Sequence, residues 1–169
     1  PFSLHCIAER RRQGDADADM AEITKLIEAA GGKAVENSIP KILRANPFPP
    51  VNSMVGPDGE RWVPVHGFLP HSRLIEGWEA VMALYATHAA EMQALGVQAG
   101  AMLAAVSPQN CLIEPVFFWP DELNPLHRHA VEPGHLAKLK GFPANAASTA
   151  LVGRLRAEVI ATFQSLGAV

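Results

Sequence analysis

Apolar and polar positions change period several times along this chain, and each change marks an element. The run Phe2-Ser-Leu-His-Cys-Ile-Ala8 is short and apolar and predicts a strand over residues 2–9. Met20, Ile23, Ile27 and Ala30 then recur at helical spacing behind Asp17 and Asp19, which predicts a helix over 17–30 ended by Gly31 and Gly32. A second short strand is expected at 33–38 and a helical turn at 39–45. The proline- and glycine-rich stretch from Asn46 to about residue 60 is too broken for helix and too aromatic for a linker.

Beyond that loop the pattern becomes regular. Residues 61–69 predict a strand. Leu74, Trp78, Val81, Met82, Tyr85 and Met92 form the apolar stripe of a helix over 73–95, with Ser72 as its cap and Gly96 as its stop. Strands are expected at 98–106 and 111–119, joined by the turn Ser107-Pro-Gln-Asn110. An irregular, histidine-bearing stretch follows to about residue 143. A helix over 146–166 closes the chain, with Leu151, Leu155, Val159, Ile160 and Phe163 on one side. Strands mixed with helices in this order predict an α+β fold, a ferredoxin-like antiparallel sheet with helices packed mainly on one face.

Bulk composition narrows the function classes. The 169 residues suffice for one domain with its own core. Charged residues make up only 18 %, which suggests that another domain or subunit covers part of the surface, so a homo-oligomer is one expectation. The net charge of −3 gives no electrostatic case for nucleic acid, and Arg10-Arg11-Arg12 is neutralised by Asp15, Asp17 and Asp19. No apolar run is long enough for a transmembrane helix, and no signal peptide is expected. The start at Pro1, directly on an apolar run, suggests a piece of a longer protein. Cys6 and Cys111 lie in apolar runs and read as buried free thiols of a cytoplasmic protein.

Few residues carry candidate chemistry. The chain has no glycine-rich phosphate loop and no nucleophile elbow. His127, His129 and His135 cluster in Leu126-His-Arg-His-Ala-Val-Glu-Pro-Gly-His135, with Glu132 beside them. They read as surface or interface histidines, so no metal is expected. His66 shares a strand face with Pro64 and Phe68. A histidine there either satisfies a core carbonyl or serves as a hydrogen-bonding group or base near neutral pH. Glu114 stands inside Cys111-Leu-Ile-Glu-Pro-Val-Phe-Phe-Trp119, on one face with Leu112, Val116 and Phe118. A carboxylate in so apolar a strand must be paired, protonated or at a site, unless Pro115 places it on an edge facing solvent.

Three features carry a resemblance to a known family. They are the loop and strand Gly56-Pro-Asp-Gly-Glu-Arg-Trp-Val-Pro-Val-His-Gly-Phe-Leu-Pro-His-Ser72, the long helix with Gly96 and the apolar hairpin, and the closing loop and helix ending Ser165-Leu-Gly-Ala-Val169. In this order they resemble the C-terminal cap domain of FAD-linked oxidases, the superfamily of vanillyl-alcohol oxidase, 4-cresol dehydrogenase and D-lactate dehydrogenase. The resemblance implies that residues 1–169 form a single substrate-cap domain whose N-terminal FAD-binding partner domain is absent, so that the piece is inactive alone. It implies oxidation of a small-molecule alcohol, phenol or 2-hydroxy acid by hydride transfer to flavin. By position it implies His66 and Glu114 as catalytic residues and Phe68, Met102 and Phe118 as substrate-binding walls.

Two departures refine that picture. The 2-hydroxy-acid branch carries a His-x-Gly-Asp-Gly-Asn-x-His metal motif, where this chain has Gly100-Ala-Met-Leu-Ala-Ala-Val-Ser-Pro-Gln-Asn110. Ser107–Cys111 also lacks the histidine that tethers FAD covalently in some relatives, which implies non-covalent FAD. The alternative from another class is a stand-alone ferredoxin-like domain for small-ligand binding or dimerisation.

Overall fold

The computed structural model describes residues 2–36 and 38–169. The chain divides into two compact units, Pro1–Pro49 and Pro50–Val169.

The first unit holds helix α1 (Gln13–Ala29) and helix α2 (Ser38–Ala45). Gly31 ends the first helix region with a positive φ of 82°. Surface ion pairs join Arg10 to Asp19 and Arg44 to Glu9. Cys6, expected to be buried in a strand, is only partly buried, because no strand forms around it. The strand expected at 2–9 does not form. Of the strand expected at 33–38, residues 33–36 have no regular structure, Ser38 is helical, and Asn37 lies outside the described residues. The reason is physical: a strand needs a ladder partner. Without one, Leu4 and Val35 stay exposed.

The second unit is an α+β layer, as the sequence predicts. Its strands are β1 (Arg61–Pro64), β2 (Gly67–Pro70), β3 (Gln98–Ala105) and β4 (Asn110–Trp119). All pairings are antiparallel, with β4 at the centre, β3 on one side and β1 with β2 on the other. The expected strand 61–69 is thus split in two. Yet Arg61 faces Trp119 and Gly67 faces Ile113, so β1 and β2 keep one register. The break falls at Val65 and His66, opposite Pro115. Pro115 has no N–H to give, although its carbonyl still accepts from the Val65 amide at 2.9 Å. Pro115 therefore occupies the central strand, not the edge or bulge its residue type suggests.

Helices α3 (Leu74–Ala94) and α6 (Ala146–Ser165) cover one face of this sheet. The core between them holds Leu69, Val81, Ile113, Phe117, Leu151, Leu155 and Val159. Of the expected stripes, Leu74, Met82 and Tyr85 pack against this core, whereas Ile160 is exposed. Two glycines let the layers approach. A Cβ on Gly67 would meet the Phe163 ring at 2.6 Å, and one on Gly77 would meet Ile113 and Leu69 at 2.7 Å.

The loops are also more ordered than expected. Ser72 does not cap α3: it sits in a 3-10 turn (His71–Arg73), and Arg73 takes the cap position without a side-chain hydrogen bond. The hairpin turn does form, with Ser107 Oγ accepting from the amides of Gln109 and Asn110. The stretch after Trp119 contains two short helices, α4 (Pro125–Ala130) and α5 (Pro133–Leu136). Their prolines at the first helical positions cost nothing, because an N–H there has no helical partner.

Candidate functional site

Side-chain alternation gives each strand two faces, and β4 separates them cleanly. Cys111, Ile113, Pro115, Phe117 and Trp119 are buried beneath the helices, while Leu112, Glu114, Val116 and Phe118 lie on the opposite face. The register sets the neighbours of that open face. Trp62, Phe118 and Gln98 form one row, His66, Glu114 and Met102 another, and Phe68, Leu112 and Ala104 a third. All five residues singled out from the sequence, His66, Phe68, Met102, Glu114 and Phe118, thus stand together on one face.

His66 and Glu114 form its polar centre. His66 Nε2 lies 2.8 Å from Glu114 Oε2. The carboxylate is largely shielded, at 15 % exposed, and the imidazole is half exposed. The burial cost of Glu114 is therefore offset by a direct hydrogen-bonding partner. Of the two readings of His66, the core-carbonyl one is set aside: its ring faces a carboxylate on an open surface.

Around this pair the surface is apolar. Trp62 stacks with Phe118, ring centroids 6.2 Å apart and planes 26° apart. Phe68 and Met102 are exposed. The proline-rich loop borders the face at Trp62, whose indole N–H donates to the Ser53 carbonyl. That loop is itself held, since Asn52 bonds the Glu132 carboxylate and amide.

A second polar cluster, not foreseen from the sequence, lies at the end of β4. Asp121 is 5 % exposed. Its Oδ2 accepts from Arg61 Nη1 at 2.8 Å and from Thr149 Oγ1, and its Oδ1 accepts from the amides of Glu122 and Asn145. Thr149 in turn accepts from the Trp119 indole, and the Arg61 guanidinium lies 5.2 Å over the Trp119 ring. Burial alone would raise the Asp121 carboxyl, but bonds from Thr149, Asn145, Glu122 and Arg61 outweigh it and hold it below its ordinary value. The cluster ties β1, the end of β4 and the start of α6 together. The only signal for it was an acid directly after an apolar strand.

The three loop histidines do not converge. His127, expected at a surface or an interface, is instead buried within the chain's own fold. It sits at the third position of α4, where its Nδ1 accepts from the Asn124 amide while its own amide donates to Asn124 Oδ1. Burial and the nearby Arg61 charge push its pKa down, so the neutral ring is favoured. Among the described residues, no three His, Cys, Asp or Glu side chains are placed to hold a metal ion. Among the same residues, no helix is long and apolar enough to cross a membrane. No family model, curated protein or solved structure matches the chain, so the geometry of this face and the sequence resemblance carry the functional reading.

Proposed function

We propose that this chain is the substrate-cap part of an FAD-dependent oxidoreductase acting on a small alcohol, phenol or 2-hydroxy acid. One observation supports it above the others: an open apolar and aromatic sheet face with a single hydrogen-bonded His–carboxylate pair at its centre. Such a surface suits a flat conjugated ring system and a substrate hydroxyl beside it. The residues fit the ring portion of a flavin through Trp62, Phe118, Phe68 and Met102. They do not fit its phosphates, for which the sequence has no cradle. A separate FAD-binding domain would hold those.

When bound, the flavin supplies the hydride acceptor. The chain's own residues do the rest. Phe68, Met102 and Phe118 exclude water and orient the substrate carbon skeleton. His66 Nδ1, the ring nitrogen that does not face Glu114, takes the hydroxyl proton, while Glu114 Oε2 accepts from Nε2–H at 2.8 Å, fixes the ring and stabilises the charge it gains.

The test is the intact mass and visible spectrum of the protein purified from its native source. A flavin band on a polypeptide well above 18.1 kDa would support the reading, and a colourless protein of that mass would overturn it in favour of a ligand-binding domain. Within the flavoenzyme, Glu114→Gln keeps the shape and removes the charge, and turnover should fall about a hundredfold. Unchanged kinetics would remove Glu114 from the site.

A further inference from the structure

The two edges of the sheet are built differently. On the outer edge of β1 and β2, Pro64 and Pro70 have no N–H to offer, and Phe68 exchanges both backbone bonds with Val169, at 2.9 and 3.3 Å. That edge is blocked to other strands. The β3 edge carries none of these devices. Its sequence, Gln98-Ala-Gly-Ala-Met-Leu-Ala-Ala105, contains no charge and no proline across eight residues. Register fixes which groups it leaves open. Val106 donates to Asn110, so Gln98, Gly100, Met102 and Ala104, which share its parity, turn their amides toward β4. The N–H and C=O groups of Ala99, Ala101, Leu103 and Ala105 therefore point outward, and among the described residues they have no hydrogen-bond partner. Met102, Leu103 and Val106 are 48 %, 42 % and 53 % exposed beside them.

We infer that this edge pairs with the same edge of a second copy, joining two sheets into one through antiparallel β3 strands. The occupant follows from self-complementarity. A two-fold axis at Met102 sets Ala99 against Ala105 and Ala101 against Leu103 of the other copy. In that register all four outward residues of each strand exchange both bonds, and no charged side chain meets another. Met102 faces its own copy across the axis, with Gly100 and Ala104 leaving room beside it. Because Met102 is the register neighbour of Glu114, the open faces of the two copies become continuous.

Sedimentation equilibrium of the purified full-length protein tests this over a wide concentration range. The wild type should reach twice its single-chain mass. Ala101→Pro removes an N–H that points away from β4, so the internal ladder keeps its bonds while one bond per copy is lost across the axis. The dimer Kd should rise about thirtyfold, the effect of two backbone bonds of ordinary net strength. Leu103→Lys places a charge on the same edge without touching the backbone, and decides the matter should the proline variant fail to fold. Amide exchange across 98–105 should slow about tenfold in the dimer relative to the diluted monomer. A monomer at every concentration, or a dimer whose Kd and exchange neither variant moves, overturns the inference. A monomeric flavoprotein would do so while leaving the flavin reading intact.

Discussion

Replacing Asp121 with Asn isolates the buried ion pair from the rest of its cluster. The amide oxygen can still accept from the backbone N–H groups of Glu122 and Asn145, so the loss is confined to the Oδ2 side. There Arg61 Nη1 and Thr149 Oγ1 both donate to one atom, and the Thr149 hydroxyl already accepts from the Trp119 indole. An NH₂ group at that position faces two donors and accepts from neither. Arg61 is left with its charge unpaired at 23 % side-chain exposure, and its Nε already has no partner among the described residues. Breaking a buried pair by removing one member costs about 3–5 kcal/mol. For a chain of this size that corresponds to a drop of roughly 10 °C in Tm. Urea unfolding followed by tryptophan fluorescence measures it directly. A loss under about 1 kcal/mol would refute the assignment of Asp121 as the tie between strands and helix. Acid titration gives a second readout. The folded carboxyl is held below its ordinary value of 3.8, so the unfolded chain takes up the proton first as pH falls. The contribution of Asp121 is complete above that value and is lost as pH drops through the folded one. The Asn variant should lack this step.

Two further outcomes are expected. Gly77→Ala should destabilise the chain by about 1–3 kcal/mol in thermal unfolding, because the added Cβ meets the buried side chains of Ile113 and Leu69 at 2.7 Å; a neutral result would mean that α3 can lift off the sheet without penalty. Thiol labelling of the native protein should modify Cys6 well before Cys111, whose Sγ is buried and donates to the Leu69 carbonyl; equal rates would contradict the packing beneath β2.

How much of this was legible in the sequence depends on how local each signal is. The helices α3 and α6 and the β3–β4 hairpin are written in periodic apolar positions and short turns, and they form within a residue or two of the expected bounds. The run at 2–9 has an equally apolar look, but a strand is defined by a partner, and composition does not name one. The same limit explains the site. His66 and Glu114 each stood out alone, as a histidine on a strand face and a carboxylate in an apolar run. That they touch depends on β1 and β2 running antiparallel to β4 with Arg61 opposite Trp119, a register set over almost fifty residues.

Asp121 shows the opposite case, a residue whose role no local pattern announces. After Trp119 and Pro120 it looks like the first polar residue of a loop. Its burial is created by Arg61, sixty residues earlier, and Thr149, twenty-eight later. Each of those looks equally ordinary in its own segment. The contrast has a physical basis. An apolar face is a demand that many partners can meet, so a pattern of such faces predicts elements well. A buried carboxylate is a demand that only particular donors can meet, and where those donors come from is decided by the fold as a whole. The His66–Glu114 pair joins both kinds: an apolar strand made Glu114 conspicuous, and only the assembled sheet supplied its partner.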